Sequence, residues 1–574
     1  MNRKQRRAAL KANASADTPG DIAGRLFAEA AQHERQNKLE DAARAYKRFL
    51  ARQPEDAAAH AALGRLLHRM GRLGEASASF SRAFRLTPQV FDQYGDVLAT
   101  LAAVLPPLAQ AMTNAHAAWP RRLTPSELFG AAGLASIAGD PLLLLTLQTT
   151  PARELALERL LTSMRAALLS DAVAGAPADD DVFAFACTLA RQCFINEYVF
   201  AVAADEGTQA ADLAQRLAAG AALAPLQIAA LAMYAPLGAL PTAEALTARA
   251  WPPALEAVLT QQLREPAQER ALRGAIAQLT PLDDSVSQRV RAQYEENPYP
   301  RWVMTAGQVQ PVAIDAYLRD QFPTAPFAPL GARGALDVLV AGCGTGWQAI
   351  GLAQKFSDTR LLAVDLSLSS LCYAKRSTPA ALASRIDYAQ ADILKLGGLA
   401  RRFDVVDSSG VLHHLADPFE GWRILLGLVR PGGLMHLGFY SERGRRDVVA
   451  ARQFIAERGF SASAADIRRC REALLETPLR SLTRMHDFFT ASECRDLLFH
   501  VQESRMTIPA LKDFIAAQDL LFLGFEFEPV ARERHRAFFA DAGWSLGDLD
   551  RWHEFEERFP DTFAAMYQFW VQKR

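Results

Sequence analysis

Ala341-Gly342-Cys343-Gly344-Thr345-Gly346 is the stretch that decides how this chain is read. The apolar run Leu336–Ala341 leads into it and a helical stretch, Trp347–Phe356, leads out. The loop therefore sits at the carboxyl end of a strand, where open α/β sheets bind their ligands. Glycines there permit positive φ and let a ligand approach the backbone closely. Working outward, short β-rich runs alternate with helical stretches, the pattern of a parallel sheet covered by helices. Seven strands are expected: 336–341, 361–366, 386–390, 404–408, 434–439, 521–527 and 566–572. A helical insertion at 441–520, read as four helices, separates the fifth from the sixth.

The loop alone indicates only a nucleotide-like ligand, since nicotinamide and flavin enzymes use similar turns. Its neighbours sharpen the reading. Asp365 ends the second strand nineteen residues after Gly346, placed to accept hydrogen bonds from ribose hydroxyls. The third strand ends Ala391-Asp392-Ile393, a carboxylate acceptor beside an apolar wall. The fourth ends Ser408-Ser409-Gly410-Val411-Leu412-His413-His414-Leu415, and Arg430-Pro431-Gly432-Gly433 leads into the fifth. An oxidoreductase, the rival among nucleotide binders, gives no reason for the last two motifs.

Together these motifs resemble the class I S-adenosylmethionine-dependent methyltransferase family over residues 335–440. The resemblance implies a Rossmann-like seven-stranded sheet whose reversed seventh strand lies beside the fifth. It implies S-adenosylmethionine as cofactor, held by the loop Gly342, Cys343, Gly344, Thr345 and Gly346, with Asp365 and Leu366 at the ribose. Asp392 and Ile393 would take the adenine, and Ser409 would border the site. In one respect the chain departs from the pattern. An acidic residue is common inside the first strand, but this one reads Val338-Leu339-Val340-Ala341, and Asp337 comes too early.

Methyl transfer from a sulfonium needs alignment and exclusion of water, and a base only where the acceptor must lose a proton. His413 is the candidate base; the alternative is that both histidines pack the following helix. Upstream, Tyr294, Tyr299 and Arg301 crowd around two prolines. Similar enzymes fold such a segment over the cofactor, so these three are expected as a lid, or else as an interdomain linker. Arg484, His486, Asp487, His500 and Arg505 are polar candidates in the insertion without an assigned role.

The front of the chain follows other rules. Leu39, Ala42, Tyr46 and Pro54 recur 34 residues later as Leu73, Ala76, Phe80 and Pro88. This resembles the tetratricopeptide repeat, in which small residues stand where paired helices cross. The expected organisation is a basic tail at 1–20, repeats at 21–90, an all-helical region at 91–280 and a methyltransferase domain at 281–574. Residues 183–200 read as one buried helix carrying Asn196 and Glu197.

Lys plus Arg (63) balance Asp plus Glu (64), so no net field recruits nucleic acid. Six cysteines without a C-x-x-C pair indicate no zinc site and a reducing, cytoplasmic setting. Residues 217–243 carry no charge, but Gly220, Pro225, Pro236, Gly238 and Pro241 break them into two short buried helices rather than a membrane span. The repeats imply a protein or peptide partner; the sequence does not identify the acceptor, be it protein, nucleic acid, sugar or small metabolite, and a protein or a partner-delivered substrate is the expectation the repeats suggest. The alternative function is a non-enzymatic scaffold with a cofactor-binding but inactive domain.

Overall fold

The computed structural model describes residues 19–88, 97–305, 310–331, 334–527 and 547–574, together with 535, 538 and 539. The basic segment Met1–Arg7 lies outside the described residues. The chain divides into two compact units. One comprises Met1–Gln148, Ala178–Phe185 and Ala306–Gln308; the other comprises Thr149–Pro177, Ala186–Thr305 and Val309–Arg574.

The first unit opens with two helical hairpins, Pro19–Arg35 with Leu39–Leu50 and Ala57–Arg69 with Leu73–Leu86. Asp56 caps the third helix by accepting a hydrogen bond from the Ala59 amide at 2.7 Å. Small residues stand where the helices cross, Ala30, Ala42 and Ala76 being fully buried. At Gly64 a Cβ would come within 2.9 Å of the Phe80 ring, which is why the aromatic knob of one helix demands a glycine in the other.

The second unit is built on one eight-stranded sheet: β1 (Ala277–Gln278), β2 (Leu336–Ala341), β3 (Thr359–Asp365), β4 (Ile386–Gln390), β5 (Phe403–Ser409), β6 (Val429–Phe439), β7 (Leu520–Phe525) and β8 (Tyr567–Lys573). Their order is β1-β4-β3-β2-β5-β6-β8-β7. All pairs are parallel except those of β8, which lies antiparallel between β6 and β7. Seven strands and the reversed last one follow the sequence reading; β1 is an addition. It pairs Ala277 and Gln278 with Ala389 and Gln390, and the Leu279 amide continues the ladder to the Gln390 carbonyl at 2.9 Å. Two residues carry no periodicity, so nothing in the sequence marks them as strand. Apolar clusters cover both faces of the sheet, one around Trp422, Phe439 and Phe569, the other around Ile350, Leu371 and Trp570.

The helix expected through Phe200 is Asp180–Ile195. It stops because the chain turns left-handed at Glu197 (φ 56°) and Tyr198 (φ 61°), with the Tyr198 amide bonded to the Cys193 carbonyl and to Asn196 Oδ1. Pro225–Leu231 is helical and Leu237–Ala239 a single tighter turn. Among the described residues no single helix is long and apolar enough to cross a membrane; the pair Val97–Val104 and Pro106–Ala118 passes by length and composition but is bent by 109°. The insertion after β6 carries four α-helices, Arg446–Arg458, Ala464–Leu475, Ala491–Phe499 and Ile508–Ala517. Arg471 on the second of these donates to both Glu158 oxygens at 3.0 and 2.7 Å, tying it to the helix Leu155–Ala174.

Candidate active site

The carboxyl ends of β2, β3, β4 and β5 open into one cavity of about 240 Å³. Its floor is the glycine loop. Gly342 (φ 81°) lies so close to Val411 that a Cβ would meet its Cγ1 at 2.4 Å, and a Cβ on Gly344 would strike the Tyr299 carbonyl at 2.6 Å. Both therefore need glycine twice over, for conformation and for space.

Asp365 lines the cavity with its carboxylate fixed by the amides of Gly344 and Ser367, each at 2.8 Å. Burial nevertheless pushes its carboxyl up to about 6. Asp392 is fully buried; its Oδ1 caps the Leu394 amide at 2.9 Å, while Oδ2 has no partner among the described residues. An orphaned buried acceptor in a cavity wall calls for a donor on a ligand. Leu366, Ile393, Cys343 and Ser409 complete this side.

The lid residues divide. Tyr294 and Tyr299 line the cavity. Arg301 does not: its guanidinium stacks on Phe194, 4.8 Å from the ring centre, with Glu197 at 3.7 Å. Thr345 and Gly346 also stand behind the wall. Thr345 Oγ1 donates to the Pro300 carbonyl and receives the Trp302 indole N–H at 3.1 Å, fastening the lid to the loop. A Cβ on Gly346 would come within 2.7 Å of Ala374, so it serves helix packing.

The histidine pair is inverted with respect to the sequence expectation. His413 is outside the lining and fully buried, stacked on Tyr440 at 3.7 Å, with burial holding it well below its ordinary range. His414 is the imidazole that lines the cavity. The one-turn 3-10 helix Leu412–His414 sends consecutive side chains in different directions, which sequence spacing does not reveal.

His414 Nδ1 donates to the Gln502 carbonyl at 2.9 Å, so the neutral ring keeps an acceptor at Nε2. Burial lowers its pKa, and its ring stacks on His500 at 3.7 Å. The Gln502 amide donates to His500 Nδ1 at 3.0 Å, which places the His500 proton on Nε2, facing the Tyr294 hydroxyl at 3.2 Å. Tyr294 in turn donates to Asp496 Oδ1 at 2.5 Å. Ligand atoms of His414, Asp496 and His500 lie within 4.8 Å of one another, close enough for a metal ion. The hydrogen bonds use His500 at both nitrogens and favour a proton chain instead.

Sequence reasoning missed Tyr440, Met566 and Gln568, which also line the cavity. Tyr440 follows the last residue of β6, and the strand-end rule that found Asp365 would have found it. The strand acid missing near the loop is not replaced by Asp337, which pairs with Arg401 at 2.8 Å and Arg430 at 2.9 Å away from the cavity. Gln348 lines the cavity at that end, its amide N–H donating to Asp407 at 3.0 Å.

Residues 338–433 match the family model described as "Methyltransferase domain", and residues 33–101 the one described as "Tetratricopeptide repeat". The chain thus carries a methyltransferase domain and a tetratricopeptide repeat over those two stretches. An uncharacterized protein of Synechococcus sp. is 31% identical over 258 residues, 42% of this chain and 61% of that one. The ubiquinone biosynthesis O-methyltransferase of Methylocella silvestris is 36% identical over 137 residues, 22% of this chain and 52% of the relative. The chain thus spans between half and two thirds of the length of these curated relatives. Among solved structures, PKMT2 from Rickettsia typhi in complex with AdoHcy is 16% identical, with a TM-score of 0.37 over 46% of this chain and 53% of that one.

Proposed function

We propose that the chain binds S-adenosylmethionine in the loop cavity and transfers its methyl group to an acceptor that loses a proton to His414. The observation that carries this is the convergence in one cavity of a fixed carboxylate (Asp365), an orphaned one (Asp392) and a neutral imidazole with a free acceptor nitrogen. The residues fit the cofactor. Asp365 would accept from two ribose hydroxyls, Asp392 Oδ2 from the adenine amino group, Ile393 and Leu366 would supply apolar contact, and Gln348 would offer an amide oxygen to the ammonium. Bound there, S-adenosylmethionine supplies a methyl group activated by the sulfonium.

The rest is the work of this chain's own groups. Tyr294 and Tyr299 exclude water above the loop. His414 Nε2 accepts the acceptor's proton, and the resulting imidazolium gains from the Asp496 carboxylate. Among the described residues the cavity lining holds neither lysine nor arginine, which favours an uncharged acceptor over a phosphate-bearing one. The repeats at 33–101 would dock the protein that is, or that delivers, the acceptor. A cytoplasmic setting agrees with six free cysteines.

Calorimetry with S-adenosylhomocysteine tests the cofactor site. Asp392→Ala should raise Kd about tenfold, the worth of one hydrogen bond to a charged group. Equal affinity in wild type and variant would refute the assignment.

A further inference from the structure

A second cavity, about 310 Å³, lies on the far side of the Arg301–Trp302 segment, against the helical residues around Arg191 and Gln261. Three arginines face it, and they are not equivalent. Arg376 is engaged, bonded to Glu269 at 2.8 Å and paired with Glu265 at 3.4 Å. Arg301 has only Glu197 at 3.7 Å, beyond hydrogen-bond reach, and its Nε is buried without a partner.

Arg191 forms no ion pair and no hydrogen bond among the described residues, and its Nε is likewise orphaned. Burial pushes its guanidinium down from the ordinary range. The Glu265 carboxylate lines the same cavity and acts on Arg191 through space, but its ion pair is with Arg376, so the Arg191 N–H groups keep their donors for a ligand that brings its own charge. An acceptor is orphaned in the same wall: Gln261 is 6% exposed and its Oε1 has no partner. Gln261 sits in a π-helical turn, Thr260–Arg264, an irregularity that recurs at functional sites.

We propose that this cavity binds a small oxyanion that carries a hydrogen-bond donor beside its charge. Arg191 and Arg301 take the anionic oxygens, and Gln261 Oε1 takes the donor. Inorganic phosphate and a free amino acid share that chemistry; acetate has the charge without the donor. The site reads neither the methyl donor nor methyl transfer, so it stands apart from the activity proposed above.

The test is thermal melting of the full chain without cofactor, at fixed ionic strength in chloride, titrated with inorganic phosphate, glycine or acetate. Phosphate or glycine should raise the midpoint saturably by about 2–4 °C, and acetate by less. A shift with phosphate alone assigns a phosphate-type ligand, and one with glycine alone an amino acid. Arg191→Gln, which keeps a polar side chain but shortens it and removes the charge, should abolish the shift. Should that variant fail to fold, Gln261→Leu carries the test by lowering the response to phosphate or glycine to that of acetate. No saturable shift with either probe, a shift that survives Arg191→Gln, or an acetate response equal to the others would overturn the proposal.

Discussion

Two titrating residues of the proposed site report on different steps. His414 is neutral at pH 7 because burial lowers its pKa, and the neutral form is the one that takes a proton. Turnover should therefore be flat above its ordinary value of 6.5 and fall only in acid. His414→Gln should lower kcat by about 10²–10⁴-fold and leave S-adenosylhomocysteine affinity within about threefold, measured by methyl incorporation and calorimetry. Asp365 behaves oppositely to an ordinary surface carboxylate. Burial raises it to about 6, and its ionised form is the one that accepts from hydroxyls. Cofactor Kd should be constant above that pH and rise by up to tenfold per unit below it, in titrations between about pH 5 and pH 8. At this scale the strand-end rule pointed to residues that line the cavity, Asp365 and Asp392. It failed where one turn decides direction: His413 and His414 are chemically identical in the sequence, and only the backbone at 412–414 separates them.

At the level of elements, the junction between β2 and the helix Trp347–Lys355 carries the site. Gly342→Ala would force a side chain into left-handed backbone and against Val411, on the turn that presents His414. Two elements would then move together, so S-adenosylhomocysteine affinity should drop by well over tenfold, with a lower melting midpoint of the unliganded chain. A variant that binds normally would show that the loop has room the structure denies. Strands were legible here because seven of them alternate with helices in regular order. The extent of the lid was not: Arg301 and Tyr299 are two residues apart, yet one faces Phe194 and the other the cavity. In a segment without regular secondary structure no periodicity fixes which side chain points where.

On the scale of the whole molecule, the second unit is held by ions inside it. Glu158 and Arg471 are 3% and 2% exposed, and their bidentate contact joins residues far apart in sequence. Glu158→Ala leaves a buried guanidinium unpaired and should cost about 3–5 kcal/mol in denaturant unfolding. The double variant Glu158→Leu with Arg471→Met should recover most of that loss. A single-site cost below about 1 kcal/mol would place the pair among weak surface bridges instead. Nothing in either sequence window announces this partnership, because long-range pairing leaves no local signature. The short strand β1 escaped notice for the same reason, and it has a practical outcome. The Asp392 amide donates to Thr280 Oγ1 at 2.8 Å, and Ala277–Leu279 cover the hydrogen-bonding groups of β4. A fragment beginning at residue 281 would strip that cover, leaving a bare sheet edge ready to recruit another copy, and would free an amide next to Asp392. Such a fragment invites aggregation, whereas one that starts before Ala277 keeps the edge closed.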